Sequence, residues 1–279
     1  MSGFKINFVL RDVEKIVPWG EEGDYMSWFG LTDADLWITF GDKTIYEYSD
    51  AVRKSRPNDT KYNNNYRLSS FIEYLTQTFE HIRESIPQKL YDNITEDIDE
   101  FVDRWYESHM ADNDDDFDKF YDEEYSPFAK WFFGRYLDGA QLFGGAKMAF
   151  FRCGDMLKIR WNGVYRRESE ENIWWTAPDG VFELPYSDFI SEIRRFFGEF
   201  FEKMDEQVKK ALEKDWGIVR LDKKRLAEEH KERREDFYQK IALLDEDIQN
   251  TDWDKIIVLF DKMMCTAIGR SAWLARCEA

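Results

Sequence analysis

The sequence predicts an α+β fold in which an antiparallel β-sheet of hairpins is covered by packed helices and followed by a C-terminal helical segment. Short segments of strand-like alternation, separated by Gly and Pro turns, occupy residues 4–48 and 147–185. Apolar stripes with helical spacing occupy the chain between these two regions and the chain after residue 187. Because strands bracket a helical segment, an antiparallel sheet with helices packed on it is the favoured arrangement.

The strands are predicted from alternation and from the chemistry of their turns. Residues 4–10, FKINFVL, alternate apolar and polar side chains as a half-buried strand does. Gly41-Asp42 predicts a hairpin from Asp35 to Tyr48, and Gly154-Asp155 predicts a second between KMAFFRC and MLKIRW. Pro178-Asp179-Gly180 predicts a third turn, between NIWWTA and GVFELP. We expect these strands to form one antiparallel sheet.

The helices are predicted from apolar stripes. Residues 66–86 and 89–110 each carry one, and residues 126–139 predict a short aromatic helix that ends at Gly139. Ser187 is the expected N-cap of a long helix that continues to about residue 216. Helices over 221–248 and 253–268 complete the chain. We therefore expect a core domain over residues 1–216, with an acidic helical insertion at about 66–138, and a helical extension over 217–279 packed on it.

Composition restricts the partners. The formal net charge is −18, so the protein repels nucleic acid and anionic membrane surfaces and electrostatically favours a basic protein. Three widely spaced cysteines form no CxxC pair, and the N-terminus lacks the pattern of a signal peptide. Apolar runs stay short of the roughly 20 residues that span a bilayer. These features predict a cytoplasmic protein that makes no direct contact with membrane or nucleic acid.

The excess charge is concentrated in one segment, residues 92–124. Fifteen acidic and two basic residues give it a local net charge of −13. Aromatic side chains are interleaved with the acids, a combination that suits docking of a Lys- and Arg-rich protein, although a plain solvated face carries the same pattern. The candidate partner-binding residues are Asp99, Glu100, Asp103, Asp112, Asp114, Asp115, Asp116, Phe117, Asp118, Phe120, Tyr121, Glu123 and Glu124.

Catalytic and metal-binding motifs do not emerge from the sequence. Asp112, Asp114, Asp116 and Glu123 match the acidic positions of a calcium loop, but Phe117 stands where that loop requires glycine. Residues 139–147 resemble a phosphate-binding loop without its lysine in place. We therefore predict no catalytic residues, no metal and no cofactor. A carboxylate- or metal-dependent hydrolase remains the alternative, since two suitably spaced carboxylates suffice for it.

A second candidate site lies near the N-terminus. Trp19, Trp28 and Phe29 occur among turn residues in the stretch WGEEGDYMSWFG. Large aromatic side chains either close the end of a sheet or serve recognition. The density of turn residues favours the first interpretation.

Three stretches carry a resemblance to a family of uncharacterised bacterial proteins, a domain of unknown function. They are IVPWGEEGDYMSWFGLTDADLWI, FFRCGDMLKIRWNG and FELPYSDFISEIRRFFGEFFEKM, which suggest coverage from about Phe4 to Val208. The acidic segment and the helices after Leu221 look like additions to that pattern. The resemblance implies a bacterial protein and brings no catalytic residues with it.

The class of protein that fits these features best is an immunity-type inhibitor. Acidic, motif-poor α+β proteins of bacteria often block a toxin, and an acidic surface suits the basic cleft of a toxin that acts on nucleic acids. We therefore expect a non-enzymatic acidic protein that neutralises a basic toxin or effector by occluding its active site. An acidic scaffold or adaptor, or a mimic of nucleic-acid charge, is the other binding-protein alternative.

Overall fold

The computed structural model describes residues 3–20, 23–55, 61–62, 67–110, 113–137, 146–163 and 175–277. The predicted α+β class is confirmed, but the strands are divided between two antiparallel sheets instead of one. The first sheet has the order β1-β2-β3 and the second the order β4-β5-β6-β7. The strands are β1 Phe4–Leu10, β2 Ala34–Phe40, β3 Lys43–Ile45, β4 Tyr136–Leu137, β5 Lys147–Cys153, β6 Met156–Asn162 and β7 Asp179–Pro185.

Backbone geometry explains why the first sheet ends early. Tyr46 has a φ of 62°, a left-handed conformation that a non-glycine residue adopts at a cost. The chain therefore leaves the sheet after Ile45, and β3 stops short of the strand predicted up to Tyr48. Both Gly-Asp hairpins are confirmed, with Phe40 opposite Lys43 and Cys153 opposite Met156. Residues 179–180 lie inside β7 and pair with β6, so they do not form the predicted third turn. Residues 172–174 of the predicted strand NIWWTA lie outside the described residues.

The α-helices lie largely where the apolar stripes predict them. They are α1 Asp50–Ser55, α2 Leu68–Ile82, α3 Gln88–Asn93, α4 Ile98–His109, α5 Asp114–Phe120, α6 Ser126–Phe133, α7 Tyr186–Glu213, α8 Lys223–Ala242, α9 Trp253–Ile268 and α10 Arg270–Cys277. None of the helices in the described part of the chain is both long and apolar enough to cross a bilayer.

Three helix predictions are corrected. Residues 89–110 form two helices, α3 and α4, because Ile94 adopts an extended conformation between them. The helix that starts at Ser126 ends at Phe133, and the chain then enters β4. Ser187 lies inside α7 and caps nothing, since the helix begins directly after Pro185, whose φ of −56° suits that position.

The second sheet separates two hydrophobic cores. The first core collects the first sheet, α2, α7 and α8 together with one face of the second sheet, including Phe150 and Ile159. The second core collects α3 to α6, α9 and α10 against the other face, including Ala149 and Phe151. Because both faces of β5 are covered, its sequence is nearly continuously apolar. The domain boundaries stay a prediction, but α2 packs in the first core and α3 to α6 in the second.

The outer edge of β1 is closed by side chains from α7. Glu192 Oε1 accepts a hydrogen bond from the Ile6 backbone N–H at 2.7 Å, and Arg195 donates to the Ile6 carbonyl at 2.5 Å. This ion pair takes the place of a neighbouring strand at that residue. It therefore satisfies backbone groups that an exposed edge would offer to another chain.

Two buried cations connect the second sheet to the helices above it. Lys158 and Arg160 point from β6 toward the second core and are 5% and 1% exposed. Lys158 Nζ donates to the Tyr91 carbonyl at 2.6 Å, and Arg160 Nη2 donates to the Glu96 carbonyl at 2.6 Å. Arg160 Nη1 forms an ion pair with Asp99 at 2.6 Å. These bonds fix the α3–α4 connection on the sheet.

The two sheets meet through stacked aromatic side chains. Phe40 of the first sheet lies parallel to Trp161 of the second, with ring centroids 4.7 Å apart. On its other side Trp161 lies over Gly180, where an added Cβ would fall 2.3 Å from the indole ring. Glycine is therefore the residue that lets the indole lie flat on β7.

We expect Gly180→Ala to destabilise the protein by about 1–3 kcal/mol, because the added methyl group must displace Trp161 from its stack on Phe40. Gly198→Ala is the matched control: it lies within α7 with nothing within 4 Å of the added Cβ, and it should stabilise by up to about 1 kcal/mol. Chemical unfolding followed by circular dichroism measures both. Equal effects of the two substitutions would contradict this account of Gly180.

We expect Arg160→Met to cost about 3 kcal/mol, because the substitution leaves the Glu96 carbonyl and the Asp99 carboxylate without their buried donor. Arg194→Met removes an exposed pair with Asp245 and should cost no more than about 1 kcal/mol. Unfolding midpoints of the two variants test the difference. Similar losses would show that the Arg160 cluster contributes no more than a surface pair.

His81 makes stability depend on pH. Its ring packs against Gly134, and desolvation followed by the nearby Arg135 charge lowers its pKa below the ordinary value of 6.5. A lowered folded-state pKa means that the unfolded chain takes up the proton first, so stability from this group is lost as pH falls through 6.5. We expect the free energy of unfolding to fall more steeply for wild type than for His81→Gln on acidification. Urea titrations of both proteins at pH values above and below 6.5 measure this difference. An identical change of the free energy of unfolding with pH in the two proteins would contradict the role of His81.

Candidate functional site

The acidic segment is folded into helices. Asn113 caps α5, because its Oδ1 accepts from the Asp116 N–H at 3.1 Å while its Nδ2 donates to the Asp116 carboxylate at 2.7 Å. After α5 the chain makes a π-helical turn over Tyr121–Tyr125, in which the Ser126 N–H bonds to the Tyr121 carbonyl. Single π-helical turns occur frequently at functional sites. The segment is therefore a shaped surface and not a loose acidic loop.

The predicted site residues differ in accessibility. Phe120 is buried, Asp99, Glu100, Phe117 and Glu124 are half-buried, and Asp103, Asp114, Asp115, Asp116, Asp118, Tyr121 and Glu123 are exposed. Asp112 lies outside the described residues. The exposed members follow one another along α4, α5 and the π-helical turn, so the structure presents most of the predicted set on a single region of the surface.

Asp99, Glu100 and Glu124 form ion pairs within the protein. Asp99 pairs with the buried Arg160 and accepts a hydrogen bond from the Tyr136 hydroxyl. Glu100 pairs with Arg104 at 2.5 Å, one helical turn away. Glu124 pairs with Lys262 of α9 at 2.5 Å. Asp99 is thus a structural residue, and these three contribute less negative charge to a partner than the sequence indicates.

Five other carboxylates of the segment form no ion pair with the described residues. In the described part of the chain, no Lys, Arg or His lies within ion-pair distance of Asp114, Asp115, Asp118, Asp122 or Glu123. We call these five residues the acidic surface. Asp122 is absent from the sequence-derived list, although its place one turn after Asp118 was a signal for it. Asp114, Asp115 and Asp116 stand in the first turn of α5, where negative charge also favours the helix.

Phe120 holds the acidic surface in place. Its ring is 6% exposed, stacks on His109 at a centroid distance of 3.8 Å and meets the edge of Trp105 at 5.2 Å. It therefore packs α5 on α4 and is not available as an anchor for a partner. Among the predicted aromatic anchors, Tyr121 is the exposed one, at 42%.

Four aromatic rings form a closed circuit beside the acidic surface. The centroid distances are 5.8 Å from Tyr106 to Phe117, 6.3 Å from Phe117 to Tyr121, 5.7 Å from Tyr121 to Tyr125 and 4.7 Å from Tyr125 back to Tyr106. We call them the aromatic quartet. Burial and then the nearby charge of Asp103 raise the pKa of Tyr125, so its hydroxyl stays protonated at neutral pH.

The described positions of the calcium-loop pattern are helical, and Asp112 lies outside the described residues. Asp114, Asp116 and Glu123 lie along a helix, whereas calcium-loop ligands must wrap around the ion from a turning backbone. Within the described residues, no group of three or more His, Cys, Asp or Glu side chains is placed to hold a metal ion. Residues 139–145 of the stretch similar to a phosphate-binding loop lie outside the described part.

The histidines are used in packing and hydrogen bonds. His230 forms the most organised contact: its Nε2 lies 2.9 Å from Asp205, and its Nδ1 accepts from the Trp28 indole N–H at 3.2 Å. A carboxylate–imidazole pair activates a hydroxyl or thiol nucleophile. Here the third group is an indole N–H, which is a donor with no nucleophilic lone pair. The arrangement therefore holds α8 against the first core instead of building a catalytic triad.

The second candidate site near the N-terminus is mainly architectural. Trp28 is fully buried, and the Arg233 guanidinium lies over both Trp28 and Phe29, at 4.6 and 4.1 Å from their ring centroids. Trp19 is 42% exposed and meets the edge of Tyr25 at 5.0 Å. Trp28 and Phe29 therefore join α8 to the sheet end, while Trp19 remains at the surface.

Comparison with known proteins gives one match. A family model described as a family of unknown function, DUF5984, matches residues 5–258. This match spans the acidic segment and α8, both of which look like additions to the family pattern when judged from the sequence motifs. No curated protein and no solved structure matches the chain. Because the family model covers most of its length, this protein belongs to the DUF5984 family.

Proposed function

We propose that this protein is a non-enzymatic binding protein that docks a basic protein partner on its acidic surface. The observation that carries the proposal is the set of five exposed carboxylates that have no cation within ion-pair distance in the described part of the chain. Side chains of like charge that are crowded on one short helix repel each other and cost stability. A basic partner relieves that repulsion when it binds.

Another charged surface of the same protein provides the contrast. On α8, acids and bases alternate one helical turn apart and pair within the helix, as in Lys224–Glu228, Lys231–Glu235 and Asp236–Lys240. Such a surface is solvated and close to internal neutrality. Among the described residues, the acidic surface of α5 and the π-helical turn has no such pairing. This difference supports a role in recognition over a role in solubility alone.

The surface is also prepared for binding. Phe120 and the Asn113 cap fix α5, so its carboxylates need little further ordering when a partner arrives. Negative charge held in a fixed pattern accelerates association with a basic surface and sets its register. The closest functional fit is an immunity-type inhibitor, which occludes the basic cleft of a toxin or effector. A mimic of nucleic-acid charge would use the same carboxylates.

The test neutralises the part of the surface that folding does not need. We expect Asp118→Asn, Asp122→Asn and Glu123→Gln, combined in the full chain, to lower the association rate with the basic partner isolated from the native cell by about tenfold or more. The dependence of affinity on salt, compared at about 50 and 200 mM NaCl, should weaken as well. Surface plasmon resonance gives both quantities. Asp114 to Asp116 are spared because they stabilise the first turn of α5.

A control variant distinguishes the effect of the acidic surface from the effect of the protein's net charge. Glu228→Gln, Glu235→Gln and Asp236→Asn remove the same charge from α8, where each acid already has an internal partner. This control should leave the association rate nearly unchanged. An equal loss in both triple variants would show that only net charge matters. An unchanged rate in the first variant would remove the interface from this surface.

A further inference from the structure

We propose that the aromatic quartet is the receptor for an arginine side chain of the basic partner. This inference rests on the proposed function, and it adds the chemistry that the partner must present. The quartet consists of Tyr106 from α4, Phe117 from α5, and Tyr121 and Tyr125 from the π-helical turn.

The arrangement of the rings supports a cation as the bound group. Consecutive centroids in the circuit are 4.7–6.3 Å apart, so the rings form one continuous aromatic patch. The face of an aromatic ring is electronegative and attracts a cation within about 6 Å of its centroid. Tyr121 is 42% exposed, which leaves part of its surface accessible to a partner.

The protein stacks cations on its own aromatic rings elsewhere. Arg152 lies 4.5 Å from the ring centroid of Tyr186, and Arg233 lies 4.1 Å from that of Phe29. Among the described residues, no Lys or Arg stacks on a member of the quartet. The quartet thus offers aromatic surface to a cation in the most acidic region of the chain without an internal cation to occupy it.

The carboxylates near Tyr121 favour a ligand that is positively charged and planar. Asp118 precedes Tyr121 by three residues, so the two side chains lie on one face of the helix, and Asp122 is exposed on the adjoining face. A guanidinium group stacks flat on an aromatic ring while its N–H groups point outward to carboxylates. An ammonium group is more strongly hydrated and lacks this planar fork. The combination therefore favours arginine over lysine.

The quartet does more than fasten α5 to α4. Phe120, which contacts Trp105 edge to face at 5.2 Å and is almost fully buried, supplies that packing together with the Tyr106–Phe117 contact. Tyr121 adds little to it, since its side chain is exposed. Substitution of Tyr121 should consequently change ligand recognition without unfolding the segment.

The experiment uses two peptides of equal charge, one of four Gly-Arg repeats and one of four Gly-Lys repeats, titrated into the full chain by calorimetry. We expect the arginine peptide to bind about five times more tightly than the lysine peptide. Tyr121→Leu should abolish this preference, and Tyr121→Phe should keep it. Tyr238→Leu is the matched control, an exposed tyrosine of α8, and it should leave the preference intact.

The outcomes separate this inference from the proposed function. Equal affinity of the two peptides for the wild type, or a preference that survives Tyr121→Leu, overturns the arginine receptor. If the Asp118, Asp122 and Glu123 triple variant still weakens both peptides in that case, the acidic docking surface stands. If Tyr121→Leu loses the preference for the arginine peptide and the triple variant binds both peptides as tightly as wild type, the arginine receptor stands. The proposal that the acidic surface docks the partner is then overturned. Circular dichroism confirms that each variant is folded.

Discussion

The arrangement of this protein depends on two cations buried in the middle of a sheet. Lys158 and Arg160 carry charge into the interior, where an uncompensated ion costs several kcal/mol. Most of their compensation comes from the helical layer, through the carbonyl groups at the end of α3, the Glu96 carbonyl and the Asp99 carboxylate. Glu183 of the neighbouring strand β7 adds an ion pair with Lys158 at 3.3 Å. The helical layer above the sheet is therefore held in a single position, which in turn decides where α4 and α5 meet the solvent.

The need to compensate the buried cations divides the carboxylates of the acidic segment into two groups. An inner carboxylate, Asp99, balances the sheet and is removed from the surface. Outer carboxylates beyond it stay exposed on α5 and the π-helical turn. The net charge of the segment is thus a poor measure of what a partner encounters. The relevant charges are the carboxylates that form no ion pair within the protein, and these can be identified only from the three-dimensional structure.

Local patterns predicted the local structure well, because helical stripes and Gly-Asp turns depend on neighbouring residues. The apolar positions of α2 are all buried as expected, and both hairpins form. Long-range features escaped prediction for a physical reason. The alternation of LKIRW is typical of a strand with one wet face, yet its polar residues are covered by helices distant in sequence. In the same way, Asp99 and Asp103 are acidic residues one turn apart on α4 and look alike in the sequence. In the structure Asp99 pairs with Arg160, whereas Asp103 is exposed.

The position of its charges along the helix supports the proposed role of the acidic surface in recognition. Carboxylates in the first turn of α5 are favoured by the helix dipole, so helix formation alone explains Asp114 to Asp116. That benefit is confined to the first turn and does not reach Asp122 or Glu123, which lie beyond the end of α5. There the carboxylates repel each other and gain no compensation from the described fold. In the proposed complex, a basic partner would supply the missing compensation next to Tyr121, the exposed ring of the aromatic quartet.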